Sequence, residues 1–247
     1  MTTAICLWSG PRNVSTALMY SFAQNQSVAV IDEPLYGHYL RVTGAQHPAS
    51  AAVIAAMNCD GNAVMRDLLL RQAEYPEPRL FMKHMAHHLV DLDLRFLRET
   101  CNIFLIREPR DMLPSLSIQL PEPRLADTGL QRQWELFSEL LEAGQEPAIL
   151  DSRELLTSPR DVLRQVCEHI GLPFMPAMLS WKAGPRPEDG VWAPHWYHAV
   201  HRSTGFEPYR PKSEFPDRLR PLLDQCQPWY DRLFEHAIRA ASRGENK

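Results

Sequence analysis

Short apolar runs alternate with longer amphipathic stretches through the first 170 or so residues of this chain. Residues 4–8, 28–31, 80–83, 102–106 and 148–150 are almost continuously apolar, and most run directly into a turn or a helix start. A strand covered on both faces reads this way, because neither side of its pleat meets water. Between these runs, helical periodicity appears at 15–24, 61–72, 89–99, 109–119, 130–143 and 159–170. The last is the best punctuated, with Ser158 at the N-cap position, Pro159 in the first turn and Gly171 just past the end. This alternation predicts an α/β chain, a three-layer α/β/α arrangement around a central, mainly parallel sheet of about five strands.

Beyond Gly171 the pattern fails. Residues 172–216 are rich in Pro, Trp, His and Gly without a period, and an amphipathic helix at 217–241 follows. An irregular segment this long inside a compact chain is usually functional or mobile. No repeat or low-complexity linker interrupts the sequence, so residues 1–247 read as a single domain.

Composition narrows the function by exclusion. A net charge of −4 argues against a general nucleic-acid binder but leaves room for one local basic pocket. The five cysteines (Cys6, Cys59, Cys101, Cys167, Cys226) are scattered without C-x-x-C spacing, which reads as reduced thiols and no zinc site. The start of the chain has no basic region ahead of its short apolar run, as a signal peptide would. No apolar run approaches the roughly 20 residues that span a bilayer. The expectation is a soluble cytoplasmic protein with neither a nucleic-acid nor a membrane partner.

In an open parallel sheet, ligands collect at the carboxyl ends of the strands. The first run is followed by Ser9-Gly10-Pro11-Arg12-Asn13-Val14-Ser15-Thr16, a tight turn into a helix. The unpartnered N–H groups and the dipole of a helix start favour an anion, and Arg12 stands at the mouth, so this is a candidate phosphate cradle. It is not a Walker A loop, because G-x-x-x-x-G-K-[ST] requires Gly-Lys where the chain has Val14-Ser15. The later strand ends add Glu33, then Lys83 with His84, His87 and His88, then Arg107. No carboxylate cluster suggests a magnesium site, so no metal is expected.

These residues resemble the sulfotransferases that use 3′-phosphoadenosine-5′-phosphosulfate. In that family a Lys or Arg, a small polar residue, Gly and two Ser/Thr follow the first strand, and here Arg12-Asn13-Val14-Ser15-Thr16 stand in that order. A second family element is a strand ending in Arg with a Ser two helical turns later, matched by Arg107 and Ser115 after Ile103-Phe104-Leu105-Ile106. The resemblance implies a fold like that of the P-loop nucleoside triphosphatases and a phosphosulfate donor as co-substrate, without a metal. It assigns the 5′-phosphosulfate to the loop Gly10, Pro11, Arg12, Asn13, Val14, Ser15 and Thr16, and the 3′-phosphate to Arg107 and Ser115. Val14 replaces the loop glycine, which removes freedom to adopt positive φ, and Pro114 stands where it can bend the helix carrying Ser115. A weaker match, Arg202 before Gly205, resembles the family's C-terminal cofactor loop.

Sulfuryl transfer to a hydroxyl or amine of a small-molecule acceptor needs charge neutralisation on the leaving side, a role for Arg12 and the loop amides. It also needs a base opposite. Several branches of the family place a glutamate at the position of Glu33. Others use a histidine two residues after a lysine; here that spacing lands on Met85, with His84 one residue short and His87 or His88 beyond. Each residue also has a plain structural use. The loop can be a well-capped turn, Arg107 can pair with Glu108 or Asp111, Glu33 can hold a turn, the histidines can satisfy packing, and Trp192, Trp196, Tyr197 and Phe206 can be core. Two other functions compete: a P-loop kinase or nucleotidase, and a non-catalytic adenosine-phosphate binder of sulfotransferase descent.

Overall fold

The structure, a computed structural model, describes residues 3–211 and 214–240. Six strands, β1 (Ile5–Ser9), β2 (Val28–Asp32), β3 (Arg79–Met85), β4 (Cys101–Ile106), β5 (Ala148–Asp151) and β6 (Ala237–Ile238), form one sheet in the order β2-β3-β1-β4-β5-β6. Every neighbouring pair is parallel. The helices of the first half are α1 (Ser15–Phe22), α2 (Tyr36–Thr43), α3 (Ser50–Ala56), α4 (Gly61–Glu74), α5 (Pro109–Gln119) and α6 (Leu125–Thr128). The second half adds α7 (Leu130–Glu142), α8 (Ser152–Thr157), α9 (Pro159–His169), α10 (Ala193–Trp196), α11 (His198–Arg202) and α12 (Arg220–Glu235).

The apolar runs form strands because both faces of the sheet are covered. Cys6, Trp8, Met82, Phe104 and Ile106 pack under α5, α7 and α12. Their neighbours in the strands, Ile5, Leu7, Phe81, Ile103 and Leu105, pack under α1 and α9. This period-two alternation within wholly apolar runs makes the three-layer α/β/α architecture.

Three expectations need correction. The sheet has six strands rather than about five: the C-terminal helix ends at Glu235, and Ala237–Ile238 adds an edge strand beside Ile149 and Leu150. Residue 241, at the end of the expected helix, lies outside the described residues. Residues 89–99 are not one α-helix. Two 3-10 turns, Ala86–His88 and Leu94–Glu99, flank an irregular stretch in which Asp91 has φ 47°, and Asp93 accepts the Arg95 N–H (3.0 Å) to start the second turn. The helices at 36–43 and 50–56 were not marked by the pattern.

The segment after Gly171 is ordered where described. An antiparallel bridge between Ser180 and Gly205, with Trp181 N–H donating to Thr204 O (3.0 Å), closes its base. The flap between them carries Trp192, Ala193 and Tyr197 into a small third core with Tyr36, Leu40 and Val53. It thereby roofs the carboxyl ends of β2 and β3. Among the described residues, no helix is long and apolar enough to cross a membrane.

Candidate active site

β1 ends at Ser9, and the chain turns at once to begin α1. Gly10 is required by contact, since a Cβ there would lie 2.6 Å from the Thr128 carbonyl oxygen. The left-handed backbone step falls on Arg12, with φ 54°, a conformation that costs a residue with a side chain about 1–3 kcal/mol. Val14 sits at φ −87° and makes no use of a glycine's freedom. Asn13 fastens the loop: its Nδ2 donates to the Leu105 carbonyl of β4 (3.0 Å), and its Oδ1 accepts the Val14 N–H (2.9 Å). No side chain caps α1. The N–H groups of its first turn therefore keep their affinity for an anion, and the well-capped-turn reading does not describe this loop.

β4 delivers the second part. Arg107 follows Ile106 directly, and its Nη1 donates to the Arg12 carbonyl oxygen (2.6 Å). Arg12 Nε in turn donates to Ser115 Oγ (2.9 Å). α5 runs unbroken through Pro114, so the proline leaves the Ser115 hydroxyl within reach. Arg12, Arg107 and Ser115, 103 positions apart at the extremes, thus form one cluster. Neither guanidinium makes an ion pair with a carboxylate among the described residues. Burial, the largest influence, pushes both below the ordinary arginine range, yet arginine remains cationic at neutral pH. Two half-buried cations beside an uncapped helix start, with the Asp111 charge acting on Arg107, define a candidate anion site.

The third part lies where β2 and β3 end. Lys83 Nζ is 2.7 Å from Asp32 Oδ1, donates to Glu33 Oε1 (2.7 Å) and to Tyr197 Oη (2.7 Å), and reaches Thr16 Oγ1 at 3.3 Å. Tyr197 Oη donates to Asp32 Oδ2 (2.7 Å) and accepts from Trp192 Nε1 (3.0 Å). Lys83 is 1% exposed. Its two carboxylate partners hold it cationic, well above the usual lysine range, although burial alone would lower it. Glu33 moves the other way. Burial raises its carboxyl above the ordinary range and the Asp32 charge adds to this, while Lys83 opposes. Replacing Lys83 with methionine leaves two buried carboxylates unpaired, so a loss of about 3–5 kcal/mol is expected in urea unfolding. A loss below about 1 kcal/mol contradicts this account of the pair.

The histidines separate. His84 does not reach the cleft: β3 continues to Met85, and within it Lys83 and His84 point to opposite faces. Lys83 pairs in register with Leu7, while His84 pairs with Trp8 and stacks on it at 4.4 Å. Buried there, its imidazole is pushed down to about 3. His87 and His88 do line the cleft. Burial lowers His87 to about 4 and takes His88 well below its usual range. His88 Nδ1 is 3.9 Å from Glu33 Oε2.

These parts border one cleft of about 690 Å³. Loop residues 11–17 form its floor, with Glu33 and Lys83 on one side and Arg107 on the other. Gly10 serves packing beneath the floor rather than lining it, and Ser115 is also absent from the lining, tied to the cleft only through Arg12 Nε. Arg202 is exposed and also absent from the lining; Gly205 is present, and the basic side chain nearby is Arg210. Tyr209, beside Arg210, donates to Asp111 Oδ2 (2.9 Å), which fixes this strip against α5. Sequence reasoning passed over Asp32, Tyr36, Tyr39, His47, Asp127 and Tyr209. For Tyr36, Tyr39 and His47 the density of rings and histidines at 36–47 was the only signal; Asp32, Asp127 and Tyr209 carried none. Among the described residues, no group of three or more His, Cys, Asp or Glu is placed to hold a metal ion.

The chain belongs to the sulfotransferase family, matching the sulfotransferase domain over residues 3–237. It is 39% identical over 237 residues to "Branched-chain-amino-acid aminotransferase-like protein 2" of Arabidopsis thaliana, and 38% identical to the corresponding protein 1. The match covers 95% of this chain and 42% of each relative, so the chain spans about two fifths of the length of these curated relatives. Among solved structures it resembles the sulfotransferase domain of the Synechococcus PCC 7002 olefin synthase, with TM-score 0.56 and 18% identity over 90% of this chain and 93% of that one. It also resembles a sulfotransferase from Alicyclobacillus acidocaldarius, with TM-score 0.54 and 13% identity over 98% of both chains. At these identities the likeness is one of fold.

Proposed function

We propose that this sulfotransferase takes its sulfuryl group from 3′-phosphoadenosine-5′-phosphosulfate and delivers it to a hydroxyl or amine of a small molecule. The observation that carries the reading is that Arg12 and Arg107, at the uncapped start of α1, share one cleft with Glu33, while Ser115, outside the lining, accepts from Arg12 Nε. Two separated phosphates suit a cluster that continues from the helix start to Arg107. Arg210 and Tyr209 are read as serving in place of Arg202, and Gly205 packs against the Leu179 carbonyl oxygen, where a Cβ would lie 3.0 Å away.

Glu33 is the base. Burial strengthens it as a proton acceptor and weakens His87 and His88, so the environments favour the carboxylate. The acceptor hydroxyl gives its proton to Glu33 as its oxygen bonds to sulfur. The bond between sulfur and the 5′-phosphate oxygen breaks, and its electron pair stays on the departing phosphate. Arg12 and the first-turn N–H groups of α1 stabilise that charge, a contribution on the order of 3–4 kcal/mol for a preorganised donor. Lys83 holds Glu33 Oε1 and, through Thr16, links the base to the phosphate loop.

The experiment is release of 3′-phosphoadenosine-5′-phosphate from the phosphosulfate donor, screened against hydroxyl and amine acceptors, alongside ATP hydrolysis with magnesium. Acceptor-dependent release with no ATP turnover is expected. Magnesium-dependent ATP turnover with no response to the sulfated donor overturns the reading in favour of a kinase or nucleotidase.

A further inference from the structure

Charge is divided across the cleft. The cations Arg12, Arg107 and Arg210 belong to the phosphate loop, the end of β4 and the strip beside α5, where Glu207 also lines the cleft. At the ends of β2 and β3 the balance reverses. Among the described residues, Lys83 is the one lysine or arginine lining that side, and it is shared between the buried carboxylates of Asp32 and Glu33, one cation against two carboxylates. Asp127 lines the same side, and its charge acts on Tyr39 and His47. His47, His87 and His88 are all held below the ordinary imidazole range by burial, so they add no positive charge at neutral pH.

The walls between these acids are rings. The His88 imidazole lies between Tyr36 (5.0 Å, 2° between planes) and Tyr39 (4.4 Å, 23°). Trp192 meets Tyr36 edge-on at 5.1 Å, and Trp196 lies 6.4 Å from His47. Ring faces carry partial negative charge and attract cations. His87 Nδ1 and His88 Nδ1 are buried without a hydrogen-bond partner, the latter 3.9 Å from Glu33 Oε2.

We propose that this half of the cleft is a subsite for an organic ammonium, so that the acceptor is an amine-bearing alcohol or a diamine rather than an anion or a neutral phenol. The proposal rests on the sulfotransferase reading and names the acceptor class within it. An anionic acceptor meets Glu33 and Asp127 on this side with no unshared lysine or arginine among the described residues to offset them. A neutral phenol can stack on the rings but leaves the acidic surplus unanswered. An ammonium group answers the surplus and lies against the ring faces. Transfer to such an acceptor follows the same balance as above: its hydroxyl or uncharged second amine loses a proton to Glu33 while its ammonium stays bound.

The test is equilibrium binding, which requires no turnover. Benzylammonium, benzyl alcohol and benzoate are titrated by NMR into the full chain saturated with 3′-phosphoadenosine-5′-phosphate, in wild type and Asp127→Asn. Benzylammonium is expected to bind about 10-fold or more tighter than benzyl alcohol, and benzoate more weakly than either. Asp127→Asn keeps an oxygen to accept the Arg124 N–H that Asp127 now accepts (2.7 Å), so it removes charge with little change of shape. It is expected to weaken benzylammonium several-fold and leave benzyl alcohol unchanged. Benzyl alcohol or benzoate binding as tightly as benzylammonium in wild type overturns the proposal. Benzylammonium selectivity without acceptor-dependent donor turnover supports the subsite and sinks the transferase reading instead. Turnover stimulated by neutral alcohols but not by amino alcohols sinks the subsite and spares the transferase.

Discussion

Glu33→Gln is expected to lower turnover by about 10²–10⁴-fold, the usual contribution of a positioned base. It should leave binding of 3′-phosphoadenosine-5′-phosphate within about twofold of wild type. Glutamine keeps the shape and can still accept from Lys83, so the loss isolates the proton transfer. The pH profile gives the sign. A base acts ionised, so kcat/KM rises with pH through the Glu33 titration and is lost as pH falls below it. Because burial, with help from Asp32, raises the Glu33 carboxyl, that acid limb should lie above the ordinary carboxylate range. In Glu33→Gln the limb disappears. A variant retaining more than about a tenth of wild-type turnover moves the base elsewhere, with His88, 3.9 Å away, the nearest alternative. No loss at all, with nucleotide binding intact and no transfer in wild type either, describes a non-catalytic binder.

Arg107→Ala is expected to weaken 3′-phosphoadenosine-5′-phosphate binding by about 10–100-fold, the equivalent of roughly 1.5–3 kcal/mol for hydrogen bonds to a charged group. Binding of adenosine 5′-monophosphate, which has no 3′-phosphate, should change little. Arg12→Ala should weaken both nucleotides. Arg12 lies in the loop assigned to the 5′-phosphate, but its Nε is held by Ser115 on the 3′ side. Arg107 also fixes the Arg12 carbonyl at 2.6 Å, so a thermal unfolding curve for each variant separates lost contact from a disordered loop. Equal weakening of both nucleotides in a stable Arg107→Ala protein contradicts the assignment of that residue to the 3′-phosphate.

The parts of the site readable in the sequence are those set by a strand's end. Residues 9–16 and Arg107 follow apolar runs whose ends are sharp, so the sheet itself delivers them to one edge. Ser115 lies on the helix that follows, within reach. His84 shows the opposite case. The expected strand stops at Lys83, but the strand continues to Met85, and period-two alternation then decides which side chain faces the cleft. Lys83 goes toward α1 and His84 toward Trp8, a choice that local sequence does not display. Asp32 and Tyr197 are 165 positions apart, and their contact exists because the flap folds back onto β2 and β3. No period marks that return.

Two misread elements have the same kind of cause. Leu89, Leu92, Phe96 and Leu97 repeat as in a helix, yet Asp91 and Asp93 interrupt the backbone and leave two 3-10 turns. β6 is two residues long, and its strand character comes from pairing with β5 rather than from its own composition. Val14 reverses an expectation made from the loop pattern. The positive φ that a glycine would relieve falls two residues earlier, on Arg12, whose side chain is held by Ser115 and whose carbonyl is held by Arg107.

The central claim is that Arg12, Ser115 and Arg107 read a nucleotide phosphorylated at both the 3′ and 5′ positions. Calorimetric titration of the wild-type chain with 3′-phosphoadenosine-5′-phosphate and with adenosine 5′-monophosphate tests it most directly, since the two differ only in the 3′-phosphate. The account predicts saturable binding of the bisphosphate at least about 10-fold tighter than the monophosphate, a gap of roughly 1.4 kcal/mol or more. No detectable binding of the bisphosphate, or equal binding of the two, contradicts it.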